Sequence, residues 1–182
     1  MIENPVQGDR IVFRETAQDT GGKLLRMEVI AFPQASGPVD HIHLRQEERF
    51  EILSGTLNAR LNNREQSFGP GETLTIPPGT PHCWWNGGTE ETRVVCELSP
   101  ALNTETFFET IYGLARDGKT NKEGVPNLLQ IAAMSRLHRD EIYLARPPIA
   151  VQRMLFALLS PIARLLGYRS SYPEYSETGR AR

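Results

Sequence analysis

The stretch "DHIHLRQEERFEILSG", residues 40–55, sets His41 and His43 one residue apart, with Glu47 and Glu48 close behind and Gly55 closing the run. A strand alternates its side chains between two faces, so in extended chain both imidazoles point the same way. Two imidazoles at consecutive same-side positions are placed to bite one metal ion. Glu48 opens the strand-like run "RFEIL" (49–53), and its carboxylate can turn back to the same ion as a hard oxygen ligand. Alone, a His-x-His pair is a weak signal, so the rest of the chain decides its meaning.

A second stretch strengthens it. "GETLTIPPGTPHCWWN", residues 71–86, holds His82, the third of four histidines. Pro77, Pro78, Gly79 and Pro81 fix a sharp reversal that presents His82 at the start of a strand. Alternation puts Trp84 and Asn86 on the face of His82, and Cys83 on the other. Phe50 and Ile52 follow Glu48 on its side, and Leu25, Met27 and Val29 form an opposing wall. Ile52 and Val29 read as core. The fourth histidine, His138 within "RLHRDE", reads as a solvated residue on a helix surface.

Outward from these two stretches, the first hundred residues are short strands punctuated by turns: 10–16, 23–32, 49–53, 56–62, 65–68, 73–77, 82–86 and 92–98. Gly, Pro and Asn separate them, which is the pattern of a β-sandwich or barrel. Near residue 101 the period changes. Phe107, Phe108, Ile111, Leu114 and Ala115 recur at helical spacing, with Asn103 or Thr104 as N-cap and Gly118 as terminator. A second helix starts with Pro126 in its first turn. A third, residues 149–166, follows Pro147 and Pro148 and is interrupted or kinked at Pro161. The tail from residue 167 reads as irregular. These boundaries predict a β-domain over 1–100 and a helical extension over 101–182 that packs on it or on a dimer partner.

The third helix is apolar, but Arg153 and Arg164 would each cost roughly 2.5–3.5 kcal/mol near a bilayer centre, which argues against a span. Its expected place is against the body of the protein or a second subunit, ahead of a membrane surface. The net charge of −2, with acids and bases interleaved, excludes the basic stripe of a nucleic-acid-binding face. The N-terminus "MIENPVQGDR" lacks the basic start and apolar core of a secretory signal. Two cysteines without a CxxC make a reducing cytoplasm the expected compartment, with no Cys83–Cys96 bridge.

Together the two stretches resemble the paired motifs of the cupin superfamily, over roughly residues 23–99. The second fits throughout: Gly71, Pro77, Gly79, His82 and Asn86 fall at the family's spacing. The first fits from its histidines on, His41-x-His43, four residues, Glu48, six residues, Gly55. The family's leading glycine falls where this chain has Ala35, and the nearest glycine is Gly37.

The resemblance implies a mainly β fold, a double-stranded β-helix or jelly-roll barrel. It also implies one divalent transition metal (Fe, Mn, Ni, Cu or Zn) held by His41, His43, Glu48 and His82, with Glu47 the alternative carboxylate. Trp84, Phe50 and Met27 are the expected substrate pocket. Glu48 is the expected catalytic group, accepting a hydrogen bond or proton as a substrate ionises. The function expected on this basis is a metal-dependent oxygenase acting on a small enediol, flavonol or phenolic molecule. A non-catalytic small-molecule binder and a metal-dependent isomerase or lyase are the alternatives. A homodimer is expected, as is common for the family.

Overall fold

The computed structural model describes residues 1–176. Ten strands come first: β1 (Ile2–Asn4), β2 (Asp9–Glu15), β3 (Leu25–Ala31), β4 (His41–His43), β5 (Glu47–Ser54), β6 (Leu57–Leu61), β7 (Arg64–Phe68), β8 (Thr73–Ile76), β9 (His82–Trp85) and β10 (Thr92–Ser99). Three helices follow, α1 (Thr104–Arg116), α2 (Leu128–Met134) and α3 (Ile149–Leu165), with a further strand β11 (Ile142–Leu144) between the last two. The strands form two antiparallel sheets, ordered β1-β2-β3-β10-β5-β8 and β11-β4-β9-β6-β7. This is the expected mainly β jelly roll followed by helices.

The alternation read from the sequence sets the inner faces. Leu25, Met27 and Val29 of β3, Phe50 and Ile52 of β5, Leu57 and Ala59 of β6, and Val94, Cys96 and Leu98 of β10 fill the core between the sheets. On the outside of the larger sheet, Glu28 of β3 receives Arg14 from β2 and Arg93 from β10. Glu97 takes Arg26 and Arg49. These opposite-charge pairs on neighbouring strands support the register that keeps the apolar set inside.

Two elements had no counterpart in the sequence reading. β1 pairs with β2, Ile2 opposite Ile11. β11, from the helical region, pairs with β4, Ile142 opposite His43 and Leu144 opposite His41. The extension thus supplies a strand to the smaller sheet besides its helices. Tyr112 of α1 belongs to the barrel's own core, and α2 and α3 pack on each other around Ala132 and Phe156.

Helix ends differ in detail from expectation. Asn103 is the N-cap of α1 but makes no side-chain capping bond, because its side chain is spent on Glu141. Gly118 follows the C-cap with φ +67, the left-handed terminator expected. Pro126 lies outside α2; Asn127 is the cap, its side chain accepting from Gln130 N–H at 3.0 Å. α3 runs through Pro161 without a break in the helix. Part of the tail is ordered: a 3-10 turn at Pro173–Tyr175 buries the Tyr175 ring against Gly113, where a Cβ would lie 2.1 Å from it. Residues 177–182 of the tail lie outside the described residues.

Candidate metal centre

The turn before β9 and the strand β4 bring His41 directly opposite His82 in the sheet. His41 and His43 share the inward face of β4, as alternation requires, and Glu48 faces them from β5 of the other sheet. Three imidazoles from one sheet and a carboxylate from the other therefore meet between the layers. All four are buried, and one ligand atom from each lies within 4.8 Å of the others. Around a single ion with bonds of about 2.0–2.2 Å, opposed ligands stand up to about 4.4 Å apart, so contraction by a few tenths of an ångström makes one set. Glu47 is exposed and takes no part.

Hydrogen bonds orient the rings. His41 Nδ1 is 2.9 Å from Val39 O, and His82 Nδ1 is 2.9 Å from Thr80 O. A carbonyl only accepts, so each Nδ1 carries the hydrogen and each Nε2 is turned inward. His82 Nε2 lies 2.8 Å from Glu48 Oε2, and His43 Nε2 lies 3.9 Å from the same oxygen. The second oxygen of Glu48 accepts from Cys96 Sγ at 3.5 Å.

The protonation states suit a cation. Burial alone would raise the Glu48 carboxyl, but the bond from His82 and the imidazoles around it outweigh burial and hold it down at about 2. Burial lowers His41 far below the usual range, helped by His82 and His43, and burial also lowers His43. Those two rings are neutral and ready to ligate. Burial opposes charge on His82, yet Glu48 outweighs it and raises its pKa. A cation taking His82 Nε2 displaces that proton. Three imidazoles, two of them with their nitrogens oriented by backbone carbonyls, and an ionised carboxylate fit one transition-metal ion.

The cluster opens into a cavity of about 160 Å³. His41, His43 and Glu48 line it together with Met27, Phe50 and Trp84, whose last two rings are 6.2 Å apart edge to face. Val29, read as core, also lines it, while Ile52 and Leu25 do not. Cys83 faces away, toward Asp40 and Arg60, and burial pushes its thiol up to about 11. Both cysteines are free. Asn86 ties its loop, donating to Ala31 O, Phe32 O and Glu90 O.

The position of the family glycine has a physical answer. Gly37 has φ +60, and a Cβ there would lie 1.9 Å from Trp84 O, so the loop entering β4 needs glycine at 37 for its close approach to β9. Ala35 is buried two residues earlier and takes Asn86 N–H on its carbonyl at 3.0 Å.

The reading of His138 is corrected. It lies past the end of α2, is 3% exposed, and is hydrogen-bonded through Nδ1 to Glu141 Oε2 at 2.9 Å. "RLHRDE" looked solvated because its arginines and Asp140 are, while the turn folds His138 and Glu141 inward to the same cavity. Gln46 and the Asp9–Tyr112 pair were also missed. Gln46 is buried, its Nε2 donating to Pro100 O, Ala101 O and Thr104 Oγ1. Tyr112 donates to Asp9 Oδ2. Cys96 was legible from alternation with Val94 and Leu98, and Tyr112 from its helical spacing after Phe108; Gln46 and His138 reach the cavity through tertiary packing.

Residues 28–97 match the family model described as Cupin_2, a cupin domain. An oxidoreductase of Arthrobotrys oligospora is 29% identical over 153 residues, covering 76% of this chain and 59% of its own length. A probable oxidoreductase of Hypocrea virens is 27% identical over 153 residues, covering 77% of this chain and 68% of its own. The chain thus spans about three fifths of the first relative's length. A predicted oxalate decarboxylase from Thermotoga maritima shares the fold with a TM-score of 0.50 at 15% identity, over 55% of this chain and 90% of that one.

Proposed function

The barrel is a cupin domain with all four ligand positions filled by metal-binding side chains, and from this we propose that the protein is a metal-dependent oxygenase of small hydroxylated molecules. The carrying observation is the His41–His43–Glu48–His82 cluster set in the wall of an apolar cavity. The oxidoreductase names of two relatives support the redox class.

A bound Fe, Mn, Ni or Cu ion would supply Lewis acidity and a path for electrons between substrate oxygen and O₂. The chain supplies the rest. Trp84, Phe50 and Met27 hold the apolar body of the substrate and exclude water. Glu48 accepts a hydrogen bond from the hydroxyl as it ionises. The cavity volume of about 160 Å³ is close to the roughly 150 Å³ that admits benzene. That favours a single ring or short enediol over a three-ring flavonol.

Elemental analysis of the purified protein, followed by oxygen-electrode assays with catechols and enediols, tests this reading. A redox-active metal and oxygen uptake are the expected results. Zinc, or turnover that persists without oxygen, would replace it with a Lewis-acid isomerase or lyase.

We further propose a homodimer through α3. Val151, Met154, Leu158, Ile162 and Leu165 recur on one helix face and are all exposed, Leu165 at 89%. No helix among the described residues is long and apolar enough to cross a membrane. Light scattering should report twice the chain mass, and Leu158→Glu should give the monomer.

A further inference from the structure

Among the described residues, five buried side-chain atoms lack a hydrogen-bond partner: Asp9 Oδ1, His43 Nδ1, Gln46 Oε1, Thr120 Oγ1 and His138 Nε2. Four of those five residues line the one cavity, where the His43 and Gln46 side chains also meet each other, so that Asp9 Oδ1 and His138 Nε2 are the two left facing no protein partner. An unpaired buried polar atom costs about 1–3 kcal/mol, so a cluster of them around a void marks a place built for an occupant with polar groups.

His138 is the most completely prepared of the four. Its Nδ1 is 2.9 Å from Glu141 Oε2. The other oxygen, Glu141 Oε1, accepts from Asn103 N–H at 3.0 Å and from Asn103 Nδ2 at 3.1 Å. With Glu141 as the carboxylate, Nδ1–H donates to Oε2, and in the neutral ring that leaves Nε2 as the lone-pair nitrogen. The Phe107 ring stands 5.3 Å away, edge to face. The turn that carries the pair is bound to the histidine strand: Leu44 N–H donates to Glu141 O at 3.0 Å, and Ile142 pairs with His43. An imidazole oriented by a carboxylate, with its far nitrogen free, is an arrangement made to meet an O–H.

We propose that His138 Nε2 is the second anchor of the cavity, accepting a hydrogen bond from a hydroxyl on a small, mostly apolar phenol or enol. The assignment rests on the oxygenase reading above and narrows its substrate class. Glu141 is a positioning residue, fixing the tautomer and the plane of the ring. Specificity follows: an isostere without the hydroxyl leaves Nε2 unpaired and binds more weakly.

The test uses the full chain stripped of metal and kept in excess chelator, so that coordination plays no part. Phenol, toluene and anisole are the probes, and calorimetry gives their affinities. Wild type is expected to bind phenol at least about fivefold more tightly than toluene, one hydrogen bond being worth about 1 kcal/mol. His138→Phe, with its fold checked by thermal melting, should abolish that preference. Glu141→Gln presents an amide N–H to Nδ1, so the hydrogen moves to Nε2 and the acceptor anisole gains on phenol relative to wild type. This second variant decides the matter if His138→Phe does not fold.

Equal binding of phenol and toluene, no measurable phenol binding at millimolar concentration, a preference that survives in folded His138→Phe, or an unchanged ratio in Glu141→Gln would each overturn the proposal. A protein that prefers phenol but takes up no metal or oxygen would instead sink the oxygenase reading and leave the anchor standing.

Discussion

The Tyr112 hydroxyl donates to Asp9 Oδ2 at 2.5 Å, tying the first helix of the extension to the second strand of the barrel inside the cavity wall. Burial pushes the Asp9 carboxyl up to about 7 from an ordinary value of 3.8, and the Tyr112 bond only partly offsets it. Between those values the folded chain holds a proton that the unfolded chain has released. This group's contribution is full below pH 3.8, falls as pH rises toward 7, and is gone above it. From pH 5 to pH 8 the loss is about 2.5 kcal/mol. Asp9→Asn, which keeps an acceptor for Tyr112, should lose that part of the slope. Urea titrations of both proteins at pH 5 and pH 8 measure the difference.

Metal should stabilise the fold and depend on all four ligands. Adding Mn, Fe or Ni salts to metal-free wild type should raise the melting temperature, since an ion that binds only the folded state shifts the equilibrium by mass action. His41→Ala and His82→Ala should show no rise. Uptake should also weaken as pH falls, from an onset above the ordinary histidine range, because Glu48 raises the pKa of His82 and the proton it holds there competes with the ion. A melting temperature unmoved by every divalent ion tried would count against the site.

Cys96 holds one oxygen of Glu48, and the effect on affinity should be measurable without any assay of turnover. Cys96→Ala should weaken metal binding by about tenfold, the low end for loss of an outer partner given the 3.5 Å thiol contact. Cys96→Ser keeps a donor and should recover most of it. Competition with a chromogenic chelator gives both constants.

Gly113→Ala places a methyl group into the ring of Tyr175, and the chain should lose about 1–3 kcal/mol. Tyr175 also donates to Asp117 Oδ2 and accepts from Lys119, so the ring has little room to retreat. In the double variant Gly113→Ala, Tyr175→Ala the two losses should be less than additive. Strict additivity in chemical denaturation would mean the contact is weaker than its geometry indicates.

The alternation of the β-region made most of the barrel and the donor cluster legible. A strand period is local, so His41, His43, Trp84, Phe50 and Met27 could be assigned to inward faces before any topology was known. Glu48 over Glu47 followed from the family spacing together with that alternation. The extension was harder. Its helices announce themselves by period, but their ends depend on tertiary partners: Asn103 caps α1 in position only, since Glu141 claims its side chain. His138 misled because burial there comes from a turn closing on the cavity, with no sequence period to mark it. β11 is three residues long between two helices, and only its pairing with β4 makes it a strand.

That pairing limits how the protein can be divided. In the smaller sheet β11 is the outermost strand and shields β4. A fragment ending at residue 100 would strip the cover from His41–His43 and leave a row of unbonded amides and carbonyls along the very strand that presents two of the imidazoles. Such an open border invites another chain to add itself. The barrel alone is therefore a poor miniature of this protein: shortened that far, it should clump before it could be asked to do chemistry.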